Sequence, residues 1–125
     1  MINKDIIVGL KSREVFELAL IIDIDKKKIP YRFEILLAGS LYEMEFHYNP
    51  GFNYFTVDLF KNKELLVYGE KLVYGLPLFH DIVDSRLPAV GLIPLDTSGQ
   101  AFEVNAQTLG ETVFLTVVEW EVANG

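Results

Sequence analysis

The sequence predicts an all-β protein of a single domain, an antiparallel β-barrel or sandwich with hairpin-connected strands over residues 1–125. Three observations lead there. Between residues 14 and 68, apolar side chains recur with a period of two and are punctuated by short turn sequences, the pattern of half-buried strands. Aromatic residues make up 13% of the chain, and flat rings pack well on a pleated surface. From Gly75 to Gly110, short apolar runs are interrupted by Gly75, Pro77, Pro88, Gly91, Pro94, Gly99 and Gly110. Proline cannot donate to a sheet ladder and glycine takes backbone shapes other residues resist, so this stretch has a specified irregular path and demands no helix.

The elements follow in order. Residues 1–13 form an N-terminal arm, either a short helix with Ile2, Ile6, Ile7 and Leu10 on one face or an edge strand around Asp5–Val8. From Glu14 the period is that of a strand, with Phe16, Leu18, Leu20 and Ile22 on one face and Val15, Ala19 and Ile21 on the other. A strand apolar on both sides is covered on both sides. Asp25-Lys26-Lys27-Lys28 then turns the chain, its lysines read as a solvated loop. Tyr31–Leu37 alternates Tyr31, Phe33, Ile35 and Leu37 inward with Arg32 and Glu34 outward, and Ala38-Gly39-Ser40 makes a tight hairpin connection with Gly39 at positive φ. The next strand sets Tyr42, Met44, Phe46 and Tyr48 against Glu43, Glu45 and His47, the cleanest alternation in the chain. Asn49-Pro50-Gly51 is a turn. Asn53–Phe60 and Glu64–Tyr68 complete a meander of about five strands, with Lys61-Asn62-Lys63 between the last two. Val90–Leu95 is a short strand and Glu111–Val122 the last long one, while Gln100–Leu109 has room for one helical turn.

Half of the 125 residues are hydrophobic and 23% are charged, which fits one folded domain with a sizeable core. The formal net charge of −7 repels phosphate backbones and argues against nucleic acid as a partner. The absence of cysteine excludes disulfides, thiolate metal sites and cysteine nucleophiles. The N-terminus lacks the basic start and sustained apolar core of a signal peptide. The longest apolar run, Leu18–Ile22, is far too short to span a bilayer as a helix, so no membrane is expected and the cytosol is the expected site of synthesis.

No catalytic constellation survives inspection. Asp96-Thr97-Ser98-Gly99 follows an apolar strand, as the Asp-Thr-Gly of retroviral-type aspartic proteases does, but Ser98 intervenes and displaces the turn that would aim the carboxylate. An Asx turn, with Asp96 bonded to local amides, fits better. His80, Asp81 and Asp84 do not supply three convergent zinc ligands by spacing, and the chain has only two histidines. His47 lies on a polar face among glutamates, Asp23 and Asp25 fall at a polar strand end, and Ser40, Ser85 and Ser98 lack a nucleophile-elbow context. No phosphate loop is present. The residues therefore call for no enzyme, no metal and no cofactor. The aromatic set Tyr42, Phe46, Tyr48, Phe52, Tyr54, Phe55 and Tyr68 reads first as core, and as the lining of a small-ligand-binding β-barrel in the alternative reading. Ile21, Leu66, Val118 and Trp120, on second strand faces, are expected to leave apolar surface available to a neighbour.

Residues from about Ile22 to Glu119 resemble a family of small phage baseplate plug proteins, found in contractile-tailed phages and prophages. The resemblance runs through IIDIDKKKIPYRFEILLAGSLYEMEFHYNP, then FNYFTVDLFKNKELLVYGEKLVYGLPLF with its Gly-x-Pro-Leu step. It is most specific in RLPAVGLIPLDTSGQ and TLGETVFLTVVE, where a Leu-Pro-x-x-Gly turn, an apolar strand, Asp-x-Ser-Gly and a Leu-Gly before the final strand stand in the family's order. The resemblance implies a non-enzymatic structural protein of the virion tail baseplate, a plug near the hub and spike, with hub, spike or tail-tube proteins as partners. It carries over no catalytic residues. Interface contacts are expected at the turns and faces that include Leu87, Pro88, Val90, Asp96, Ser98 and Trp120, and a homo-oligomer is compatible with the symmetry of a tail axis.

Overall fold

The computed structural model describes the backbone of residues 6–11 and 18–119 and the side chains of residues 20–119. The chain runs through β1 (Ile6–Lys11), β2 (Leu18–Ile22), a 3-10 turn (Lys26–Lys28), β3 (Tyr31–Leu37), β4 (Ser40–Asn49), β5 (Tyr54–Lys61), β6 (Glu64–Lys71), β7 (Val90–Leu95) and β8 (Phe114–Glu119). These strands form two four-stranded antiparallel sheets, ordered β1-β2-β8-β7 and β3-β4-β5-β6. Among the described residues neither sheet pairs its edge with the other. The barrel half of the sequence expectation is therefore not met, and the architecture is sandwich-like. No helix among the described residues is long and apolar enough to cross a membrane.

Alternation explains why the sheets stack. Ile35, Leu37, Tyr42, Met44, Phe46, Phe55, Val57 and Leu59 point inward from the second sheet and are buried. Ile22, Leu92, Leu115 and Val117 meet them from the first sheet in one continuous core. Burial of this apolar surface, at about 25 cal/mol per Å², is the main favourable term.

The expected five-strand meander needs a correction. β2 does not pair with β3 but lies between β1 and β8 in the other sheet. Asp25 caps the 3-10 turn by accepting from the Lys27 amide at 3.0 Å, and the segment carries the chain from one sheet to the other. Both faces of β2 are apolar in sequence, which suits an internal strand. Of the three lysines, Lys27 and Lys28 are exposed as expected. Lys26 instead donates to the Ala106 carbonyl at 2.8 Å. Ile6–Lys11 of the N-terminal arm realises the edge-strand alternative as β1. The rest of the arm and residues 14–17 of the expected second strand lie outside the described residues.

Two hairpin turns follow the sequence closely. Leu37 pairs with Ser40 around Ala38 (φ 50°) and Gly39 (φ 83°), and Lys61 pairs with Glu64 around Asn62 (φ 52°) and Lys63 (φ 67°). Two successive positive φ angles are what a two-residue turn needs to match strand twist. Further on, Val57 pairs with Glu70 and Leu59 with Val67, so Tyr68 and Gly69 together oppose the single residue Asp58. Gly69, at φ 71°, makes this bulge possible.

The irregular region covers an edge. β7 lies at the end of its sheet, where Pro94 is tolerated because no further strand needs its donor. Gly75 donates to the Pro94 carbonyl at 2.9 Å and Leu78 to that of Leu92 at 2.9 Å. The 72–89 loop thus satisfies acceptors that would otherwise invite edge-to-edge pairing.

Candidate functional site: turns and outer-face surfaces

The residues expected at an interface occupy both ends of β7. Leu87 and Val90, at its start, are half-buried and pack against the core. Pro88 is half-buried between them. The loop bearing Leu87 is tied down at Arg86, whose carbonyl accepts from the Tyr42 hydroxyl at 2.7 Å. The Arg86 guanidinium meets Asp84 at 2.7 Å and Glu64 at 3.0 Å. Hydrogen bonds from Arg86 hold the Asp84 carboxyl at about 2, well below its ordinary range. Burial pushes the Tyr42 phenol up.

Asp96, just beyond the other end of β7, is buried at 6% exposure. Its Oδ1 accepts from the Ser98 amide at 2.8 Å and the Ser98 hydroxyl at 2.6 Å, and its Oδ2 from the Gln100 and Ala101 amides at 3.1 and 2.8 Å. The hydroxyl bond from Ser98 is the largest of the effects that hold this carboxyl below its ordinary value. This is the Asx turn the residues suggest, with Gly99 at φ 75° completing the bend. Ser98 is exposed. Trp120 lies outside the described residues. Sequence reasoning thus named turn-forming residues, and the structure places them at two separate ends of one strand.

The aromatic set divides. Tyr42, Phe46 and Phe55 are core, Tyr48 and Tyr54 are half-buried, and Phe52 and Tyr68 are exposed at 81% and 79%. They do not line one interior. Ile21, Leu66 and Val118, expected to leave apolar surface free, are half-buried. The exposed apolar side chains are others. Leu36 and Leu41 face each other across the β3–β4 hairpin on its outer side, and Leu65, Ile82, Val83 and Phe102 are also exposed. Strand alternation could have placed Leu36 and Leu41 outward, since each is out of phase with the inward set.

The outer face of the second sheet carries a polar cluster. Arg32, Glu45 and Asp58 stand directly opposite one another across β3, β4 and β5. Arg32 binds Glu45 Oε1 through Nε at 2.9 Å and Nη2 at 2.8 Å, and its guanidinium lies 3.8 Å from the Phe60 ring centroid. His47 Nε2 approaches Glu45 Oε2 at 2.8 Å and Asp58 Oδ2 at 3.3 Å. Asp58 is buried beneath the bulge, and its Oδ1 accepts from the Gly69 amide at 2.7 Å. A groove of about 600 Å³ opens beside the cluster, lined by His47, Asp58, Thr56, Tyr54, Tyr68 and the Asn49–Gly51 turn. His47 was visible in the sequence as a polar-face residue. Asp58 was not singled out, because alternation with Phe55, Val57 and Leu59 puts it on the opposite, polar face, and its burial there comes from the bulge across from it.

Comparison with curated proteins and with solved structures found no match. A family described as the cyanophage baseplate Pam3 plug gp18 matches residues 19–121. That span takes in both sheets from β2 onward, the covered β7 edge and the Asp96 turn. The chain belongs to this phage baseplate plug family.

Proposed function

We propose that this protein is a non-enzymatic plug at the hub of a contractile-tail baseplate, acting by protein–protein packing. The family match over residues 19–121 carries this reading, and the family indicates a structural role in the phage tail baseplate. The partners are hub, spike or tail-tube proteins, met after synthesis in the host cytoplasm. The contacts include the turns built by Leu87, Pro88 and Val90 and by Asp96 and Ser98, with Trp120 beyond β8. Leu87, Val90 and Asp96 shape these turns from behind, and exposed neighbours such as Ser98 and Val83 present the surface. The fully exposed Val83, and the Leu36–Leu41 pair, supply apolar area that a neighbour would cover.

The test is co-purification of the tagged chain with hub, spike and tube proteins expressed from the same tail operon. Hub, spike or tube protein is expected to co-purify with the wild type, and Val83→Asp or Leu41→Asp to reduce its recovery several-fold while leaving the fold intact. Failure of folded wild-type protein to retain any of the three would overturn the proposal. The mass of the isolated complex reads self-association in the same experiment.

A further inference from the structure

We propose that Glu45, His47 and Asp58 form a binding site for a late first-row divalent cation, with Zn²⁺ as the type ion. The ligand atoms all lie within 4.8 Å of one another, and the two separations from His47 Nε2 are 2.8 and 3.3 Å. Bonds of about 2.0–2.2 Å from nitrogen and carboxylate oxygen to a tetrahedral ion place its ligand atoms roughly 3.3–3.5 Å apart. The His47–Asp58 separation already suits such an ion, and the His47–Glu45 contact, once its proton is lost, needs to open by only about half an ångström to admit one.

The outer oxygens are already engaged, which fixes the direction of the inner ones. Glu45 Oε1 is held by Arg32 and Asp58 Oδ1 by the Gly69 amide. That leaves Glu45 Oε2 and Asp58 Oδ2 both aimed at His47 Nε2. Second contacts of this kind orient metal ligands and tune their basicity. A proton on Nε2 can serve one of the two carboxylates well, whereas a cation bound by the imidazole lone pair serves both. Asp58 is only 5% exposed, and a buried carboxylate is costly without a strong partner. The nitrogen ligand favours zinc-like ions over calcium or magnesium, which prefer all-oxygen shells. Beside the trio, the groove lined by Tyr54, Thr56 and Tyr68 gives room for water or a neighbour's side chain to complete the coordination.

The experiment is calorimetric titration of chelator-stripped full-length protein with Zn²⁺, paired with the visible absorption of its Co²⁺ complex. One ion per chain is expected. His47→Gln, at a half-exposed position and with its fold checked by circular dichroism, is expected to weaken binding at least tenfold and to abolish the Co²⁺ bands. Asp58→Asn should do the same, and His80→Gln, which alters the other histidine, should change neither. Absence of Zn²⁺ binding by the wild type would overturn the site. So would binding unchanged in folded His47→Gln, which would mark an adventitious ion elsewhere.

Discussion

Phe46 and Leu41 lie on the same strand, β4, and face opposite ways. Phe46 is fully buried, stacks on Phe33 at 5.8 Å between centroids and pairs in register with Val57 on β5. Truncating it to alanine removes most of a large side chain from a core both sheets share, at a cost of about 3–5 kcal/mol. Unfolding entropy near 2.1 cal/mol/K per residue gives this 125-residue chain about 0.26 kcal/mol/K. Phe46→Ala should therefore lower the melting temperature by roughly 10–20 °C. Leu41→Ala, at a site 46% exposed on the outer face, should cost within about 0.5 kcal/mol, a shift under about 2 °C. Thermal melts of dilute protein followed by circular dichroism give both numbers. A loss in Leu41→Ala as large as or larger than that in Phe46→Ala would refute the assignment of faces, since a one-residue slip in register would bury Leu41 and expose Phe46.

Further outcomes can be read by similar means. Lys63 sits at φ 67° without glycine's freedom, so Lys63→Gly, creating an Asn-Gly turn, should stabilise by about 0.5–1 kcal/mol in urea unfolding. Tyr42→Phe removes the bond to the Arg86 carbonyl. It should cost about 0.5–1.5 kcal/mol, and limited proteolysis should cut the 79–89 loop faster. The carboxyls of Asp84 and Asp96 are depressed in the folded chain. Their contribution is thus fully present above the unfolded value of 3.8 and is lost as pH falls through the folded value, about 2 for Asp84. The melting temperature should fall between about pH 4 and 2, and Asp84→Asn should flatten that slope. A slope unchanged in Asp84→Asn would remove this carboxylate from the acid response.

Much of the second sheet was legible because one of its faces is buried and the other wet. Tyr42, Met44 and Phe46 alternate with Glu43, Glu45 and His47, and period two assigns faces directly. Ala38-Gly39 was legible because positive φ favours glycine, and Asp96 because its carboxylate can reach amides two to five residues on. The partner of β2 was not legible. Alternation reports which face a residue occupies and not which strand lies beside it, so Ile22 could not announce its pairing with Leu115. Asp58 was hidden for a related reason. Its burial and its Gly69 bond arise from the bulge at Tyr68-Gly69, a feature of the pairing of two strands. Leu87 and Val90 were read as surface because they flank Pro88 and Gly91. Their half-burial depends on the loop folding back along β7.

The role proposed for this chain is packing at the baseplate hub. Electron cryo-microscopy of purified tails tests it most directly. Density for two stacked four-stranded sheets is expected at the distal centre of the baseplate, in contact with hub, spike or tube. Complete baseplates whose centre holds no such density, from cells that express the protein, would contradict it.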